Sequence, residues 1–255
     1  MFDLEVIYER LTPSEFKTRL QKAPIAYLPL GTLEWHGAHL PLGSDFLQPI
    51  GLFKELAQRV GGIILPPLFL GPDKAQDVDG FEYYGMDWHV LNPPQQLAGS
   101  AYWASYELFS ALLEALLKQL RRAGFRIVVA HGHGPSTDYI IDNREELSRK
   151  HDLAIFTVWP AVWPDEEREQ DLEFQCDHAA MNETSIMMAL HPDLVHMENL
   201  PTASDEWPLA IAGKDPRKYA SAELGEKIIR SQLERMERVL KDQLLSLHEC
   251  VRTMA

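Results

Sequence analysis

Four short, almost wholly apolar runs alternate along this chain with longer stretches that repeat at helical spacing. That alternation restricts the fold more than any other feature. The runs are Ile25-Ala-Tyr-Leu-Pro-Leu30, Gly62-Ile-Ile-Leu65, Phe125-Arg-Ile-Val-Val-Ala130 and Ala154-Ile-Phe-Thr-Val158, and each has the length of a buried strand. Between them, residues 52–60 carry apolar side chains at helical spacing and stop at Gly61-Gly62. Residues 101–122 bring Phe109, Leu112, Leu113, Leu116, Leu117 and Leu120 onto one helical face, with Gly124 as the stop. Ser136 or Thr137 is placed to cap the helix after the third run. Residues 179–190 read as a short helix closed by Pro192, and a last helical repeat runs from Ala220 through Leu224, Ile228, Leu233, Met236, Leu240, Leu244 and Leu247. Residues 71–99 hold Pro72, Gly80, Gly85, Pro93 and Pro94 without a period, so they read as a long loop or flap. The pattern predicts an α/β domain, and no internal repeat or linker divides the 255 residues.

Charge narrows the partners. With 38 acidic against 24 basic residues the formal net charge is −14, which argues against nucleic acid and against an anionic membrane surface. The two cysteines, Cys176 and Cys250, form no CxxC pair, which excludes a zinc ribbon or a dithiol redox motif. The N-terminal Met1-Phe-Asp-Leu-Glu5 has no basic region followed by an apolar stretch, and no apolar run reaches the length of a membrane span. The expectation is a cytoplasmic protein acting on a small molecule.

Three polar clusters follow or flank the predicted strands. Glu34 and His36 lie just after the first strand, two residues apart, so in extended backbone they point to one side. Asp45 returns after a Gly- and Pro-containing turn; two carboxylates and an imidazole at a strand's carboxyl end suit a dication, in the place where ligands of open α/β sheets bind. His39 in the same segment carries no such argument. The second cluster is His131-Gly-His133-Gly-Pro135, in which both imidazoles can ligate or one can orient the other. The third is Asp177-His178-Ala-Ala-Met-Asn182-Glu183-Thr-Ser185, where a histidine entering a helix beside a carboxylate suits acid–base work, although the same position also suits an exposed residue.

Taken together, the string from Leu30 to Asp45, the Gly132-His133-Gly134 turn and the His178-to-Ser185 motif resemble the creatininase (creatinine amidohydrolase) family, over roughly residues 25 to 230. The resemblance implies a single domain over residues 1–255, a three-layer α/β sandwich with a mainly parallel sheet and a flap at about 71–99. It implies two divalent ions per chain, zinc, manganese or iron. Asp45 would bridge them, with Glu34 and His133 on one ion and His36 on the other; Glu183 is the candidate to complete the second. His178 matches the catalytic histidine that passes a proton to the leaving group, and Glu183 stands beside it as a further catalytic candidate. The implied reaction is attack of metal-bound hydroxide on a carbonyl carbon of a small, polar, cyclic metabolite, with an amide as the default bond. Hydrolytic carbon–carbon cleavage of a cyclic diketone, such as an oxidised inositol, uses the same attack; a non-catalytic metal-binding relative is the other alternative. The resemblance also implies a closed homo-oligomer, hexamers among the family's forms.

The chain departs from the family at several points. Pro135 stands where creatininase itself has a ligating glutamate, which points the substrate away from creatinine. His131 replaces a common asparagine. The flap lacks the family's histidine and following turn, and its one histidine, His89, is not expected to ligate. Its polar and aromatic content, with Tyr83, Tyr84, Asp87 and Trp88, suggests a different substrate, and Trp159 and Trp163 are candidate pocket walls.

Overall fold

The computed structural model describes residues 5–159 and 177–254; Trp163 and Cys176 lie outside them. Helix α1 (Pro13–Lys22) opens on a capping box, in which Thr12 accepts from Glu15 N and the Glu15 carboxylate accepts from Thr12 N. Strand β1 (Ile25–Leu30) leads into α2 (Ser44–Arg59) and the short β2 (Ile63–Ile64). After the flap come α4 (Tyr106–Ala123), β7 (Ile127–Gly132), α5 (Gly134–His151) and β8 (Ala154–Thr157), with the flap elements numbered below. Helices α6 (Met181–Leu190), α7 (Pro216–Tyr219) and α8 (Ala222–Met254) complete the described chain.

The central sheet has the order β2-β1-β7-β8, and every pair in it is parallel. Strand period two sorts its side chains onto opposite faces. Ile25 and Tyr27 of β1, with Ile127 and Val129 of β7, face Phe53 and Leu56 of α2 and Ile228 and Leu233 of α8. Ala26, Leu28, Val128 and Ala130 face Phe109, Leu113 and Leu117 of α4 and Ile140 of α5. Both faces are therefore covered, as the unbroken apolar runs require, and the fold is an α/β sandwich with a parallel sheet. The chain leaves β1 toward β2 with its helix on one face and leaves β7 toward β8 with its helix on the other. The loops after β1 and β7 consequently diverge, opening a crevice at their carboxyl ends.

Three details differ from the sequence expectations. The second helix begins eight residues earlier than its apolar period, at Ser44, so Asp45 sits in its first turn. The cap of α5 is His133, with Pro135 in the first turn where its missing N–H costs nothing; Ser136 and Thr137 are inside the helix and donate instead to the carbonyls of Gly31 and Gly132. Residues 71–99 are not a structureless loop. They hold β3 (Gly71–Pro72), a hairpin of β4 (Ala75–Val78) and β5 (Phe81–Tyr84), and α3 (Met86–His89), while β6 (Trp103–Ala104) pairs with β3. The hairpin turns on Asp79-Gly80, both at positive φ, the two-residue turn that matches strand twist. Among the described residues no helix is long and apolar enough to cross a membrane.

Candidate metal centre

The crevice gathers side chains from four segments. The loop after β1 supplies Glu34 and His36, the first turn of α2 supplies Asp45, the junction of β7 and α5 supplies His133, and the start of α6 supplies Glu183, with His178 just before it. Glu34, His36, Asp45 and His133 are all at most 6 % exposed. His133 Nδ1 stands 3.1 Å from Glu34 Oε1 and 3.4 Å from Asp45 Oδ2. His36 Nε2 stands 3.4 Å from Asp45 Oδ1 and 3.6 Å from Glu183 Oε2. The two oxygens of Asp45 thus face two different histidines.

Close approach of β1 and β7 makes this possible. Gly132 has φ +153°, and a Cβ there would run into the Leu30 carbonyl oxygen and stand 3.0 Å from the Asp45 carbonyl oxygen. Glycine alone lets the strand end come this near.

Hydrogen bonds set the ring orientations. A carbonyl only accepts, so His36 Nδ1–H donates to the Glu34 carbonyl at 3.2 Å and leaves Nε2 turned toward the carboxylates. His178 Nε2–H donates to the Trp35 carbonyl at 2.7 Å, leaving Nδ1 3.7 Å from Glu34 Oε1. The His178 ring also lies over His36, with centroids 4.2 Å apart. Glu183 accepts from Ala179 N at 2.7 Å through Oε2 and from Gln48 Nε2 at 3.4 Å through Oε1.

Electrostatics shows how the site stands with protein groups alone. Burial works against charging His36, but Asp45 and then Glu183 outweigh it and raise the ring to about 10. Burial likewise opposes charging His133, yet Asp45 and Glu34 hold it well above the ordinary histidine range. Asp45 is pulled far below the usual carboxylate range by these two imidazolium ions, despite its burial. Three carboxylates enclosed this closely favour positive charge, which is why both imidazoles are raised. A divalent ion fits the same places. Glu34, Asp45 and His133 form one group and His36, Asp45 and Glu183 another, with ligand atoms within 4.8 Å of one another. Glu34, His36 and His178 form a third such group. His36 Nε2 and Asp45 Oδ2 are buried without a hydrogen-bond partner, as expected of atoms that coordinate an ion.

The remaining sequence candidates stand apart. His39 is buried with Nε2 2.8 Å from Thr184 Oγ1, and burial pushes it down to about 4. His131 packs edge-on to Trp159, and desolvation with the nearby Arg235 pushes it down to about 3, a neutral ring outside all three groups. His89 is exposed and stacked on Trp88. Sequence reasoning missed two contributors. Gln48 lies three residues after Asp45, a helical spacing that would have marked it as same-faced. Asp73 of the flap stands 3.5 Å from His133 Nε2, and no local pattern announces it. Asp177 lies outside the three groups: its carboxylate accepts from Asn182 N and Glu183 N at the start of α6, and burial beside Glu183 raises it to about 7.

The family model described as creatinine amidohydrolase matches residues 9–240. A creatinine amidohydrolase of Pseudomonas putida is 24 % identical over 209 residues, covering 76 % of this chain and 75 % of that protein. A 3-dehydro-scyllo-inosose hydrolase of Thermotoga maritima is 22 % identical over 200 residues, covering 76 % of this chain and 58 % of that protein. Among solved structures, a mutant creatininase named as Zn-Zn type superposes with TM-score 0.69 at 22 % identity, covering 94 % of this chain and 98 % of that one. The structure named Creatininase Mn gives TM-score 0.68 at 22 % identity with the same coverage. At these identities the superpositions speak for the fold.

Proposed function

Because this chain belongs to the creatininase family of metal-dependent hydrolases, we propose that it hydrolyses a small, polar, cyclic metabolite at a carbonyl carbon, using two divalent ions. Glu34, Asp45 and His133 would hold one ion and His36, Asp45 and Glu183 the other. The observation that carries this is the shared carboxylate: Asp45 turns one oxygen to His36 and the other to His133. Bound there, two dications would acidify a water and polarise the substrate carbonyl.

The chain's own groups account for the rest. Trp35 O fixes the proton on His178 Nε2, so the proton this histidine takes up or gives away is the one at Nδ1, on the side facing Glu34. Ala179 N and Gln48 hold the Glu183 carboxylate from opposite sides and keep it turned toward His36. A small cavity of about 40 Å³ beside the centre is lined by Gln48, His131, Asp177 and Gln232 next to Asp45 and Glu183, and by the apolar Leu52, Ile186 and Trp159.

The inosose hydrolase relative favours a second reading within the same chemistry, hydrolytic carbon–carbon cleavage of a cyclic diketone. A cyclic amide, suggested by the creatinine amidohydrolase relative, remains the first.

Metal content of wild type, Asp45→Ala and His178→Ala, with turnover on a panel of cyclic amides and cyclic diketones, tests both. Near two ions per wild-type chain, lost in Asp45→Ala, is the expected result. His178→Ala should keep its ions and lose about 10²–10⁴-fold in turnover. Wild type that takes up no ion when metal is supplied would overturn the proposal. Turnover of one substrate class alone selects the bond.

A further inference from the structure

Asp73 is the one flap carboxylate that reaches the centre, and its surroundings aim it. Lys74 N donates to Asp73 Oδ1 at 2.6 Å, which leaves Oδ2 facing His133 Nε2 at 3.5 Å. The side chains of both partners are nearly closed to solvent, at 7 % and 3 % exposed. His133 Nε2 is buried with no hydrogen-bond partner, and the Asp73 carboxylate is the acceptor near it. The opposite nitrogen of the same ring, Nδ1, is the one beside Glu34 and Asp45.

The flap backbone is shaped to permit this. Gly85, with φ +48°, follows β5, and a Cβ there would stand 2.8 Å from Glu34 Oε2 and 2.9 Å from Asp73 Oδ2. The absence of a side chain lets the flap lie against both carboxylates at once. Tyr84 stacks on Trp103, whose ring is 5.9 Å from His133, so the hairpin also closes over this imidazole.

We propose that Asp73 is a positioning residue for the metal centre: it accepts the Nε2–H of His133 and so presents the Nδ1 lone pair to the ion shared with Glu34 and Asp45. The inference rests on the metal-centre reading above. Asp73 is no ligand itself, since it belongs to none of the three candidate ligand groups and lies on the far edge of the imidazole. Carboxylates that orient ligating histidines in this way change metal affinity when removed. The arrangement also links the flap to the centre, because displacing β3 and the hairpin would withdraw the orienting group from one ion and not from the other.

The test is calorimetric titration of metal-stripped wild type, Asp73→Ala and Asp73→Asn with Mn²⁺ and with Zn²⁺, alongside thermal melts of the stripped proteins. Support is a weakening of about 10–100-fold confined to one of two binding events in Asp73→Ala, with unchanged apo melting. Asp73→Asn, which keeps an accepting oxygen and the same shape, should recover part of that loss. Two binding events of wild-type affinity in both variants would overturn the role of Asp73 while leaving the metal-centre reading intact. Equal weakening of both events together with a lowered apo melt would overturn it as well, by showing a general structural role. Failure of wild type to bind either ion would remove both readings.

Discussion

The centre is built from atoms whose second bonds are already spoken for. His36 spends Nδ1 on the Glu34 carbonyl and His178 spends Nε2 on the Trp35 carbonyl, so each ring has one nitrogen left for the crevice. In the ion-free protein those free nitrogens compete between protons and metal. The surrounding carboxylates outweigh burial, raising His36 to about 10 and holding His133 above its ordinary value. Metal uptake at pH 7 should then release protons, that of His36 among them, and affinity should rise as pH goes from 7 toward 10. Calorimetry in buffers of differing ionisation enthalpy reads this directly; release near zero would show that the imidazoles are neutral before binding. The ion-free fold should respond in the opposite direction. His36 has a folded value raised above the unfolded value of about 6.5, so its contribution is complete below that pH and disappears as pH rises through about 10.

At the scale of elements, the site depends on two strand ends and one helix start meeting closely. Gly132 is where β7 passes the Leu30 and Asp45 carbonyls at positive φ. Gly132→Ala combines a disfavoured backbone conformation with a backbone clash that no side-chain rotation relieves. We expect a loss of about 3 kcal/mol or more, read as a lower urea midpoint with unchanged m-value. Retention of wild-type stability would mean that β7 moves aside freely. Elsewhere the elements follow local rules. Ser105 caps α4 by accepting from Leu108 N, and Gly124, at φ +108°, ends it in the left-handed conformation.

For the whole molecule, the dominant physical quantity is charge. A net −14 makes the compact state repel itself, and the two proposed dications would offset part of that acidity. Raising ionic strength from about 0.01 M to about 0.1 M shortens the Debye length from about 30 Å to about 10 Å. The ion-free protein should therefore melt about 2–4 °C higher for each kcal/mol of repulsion relieved. A melting point independent of salt would show that the acidic surface is locally compensated.

Much of the architecture was legible in one dimension, because burial on two faces and helical spacing are local properties of a chain. Ile25–Leu30 and Ile127–Ala130 announce strands covered on both sides, and the Glu34/His36 spacing with the later histidine motifs announces a ligand set through its resemblance. The hairpin of the flap was legible too, in Asp79-Gly80, but the surrounding prolines and glycines obscured it. What only the tertiary structure decided is which groups meet. It turned His133 rather than His131 toward the carboxylates, set Asp45 in the first turn of α2 rather than in a loop, and brought Glu183 and Asp73 in from opposite sides. The physical reason is that β1 and β7 are neighbours whose helices leave on opposite faces. The crevice between them, and every contact across it, arises from packing between segments far apart in the chain, for which no local pattern codes.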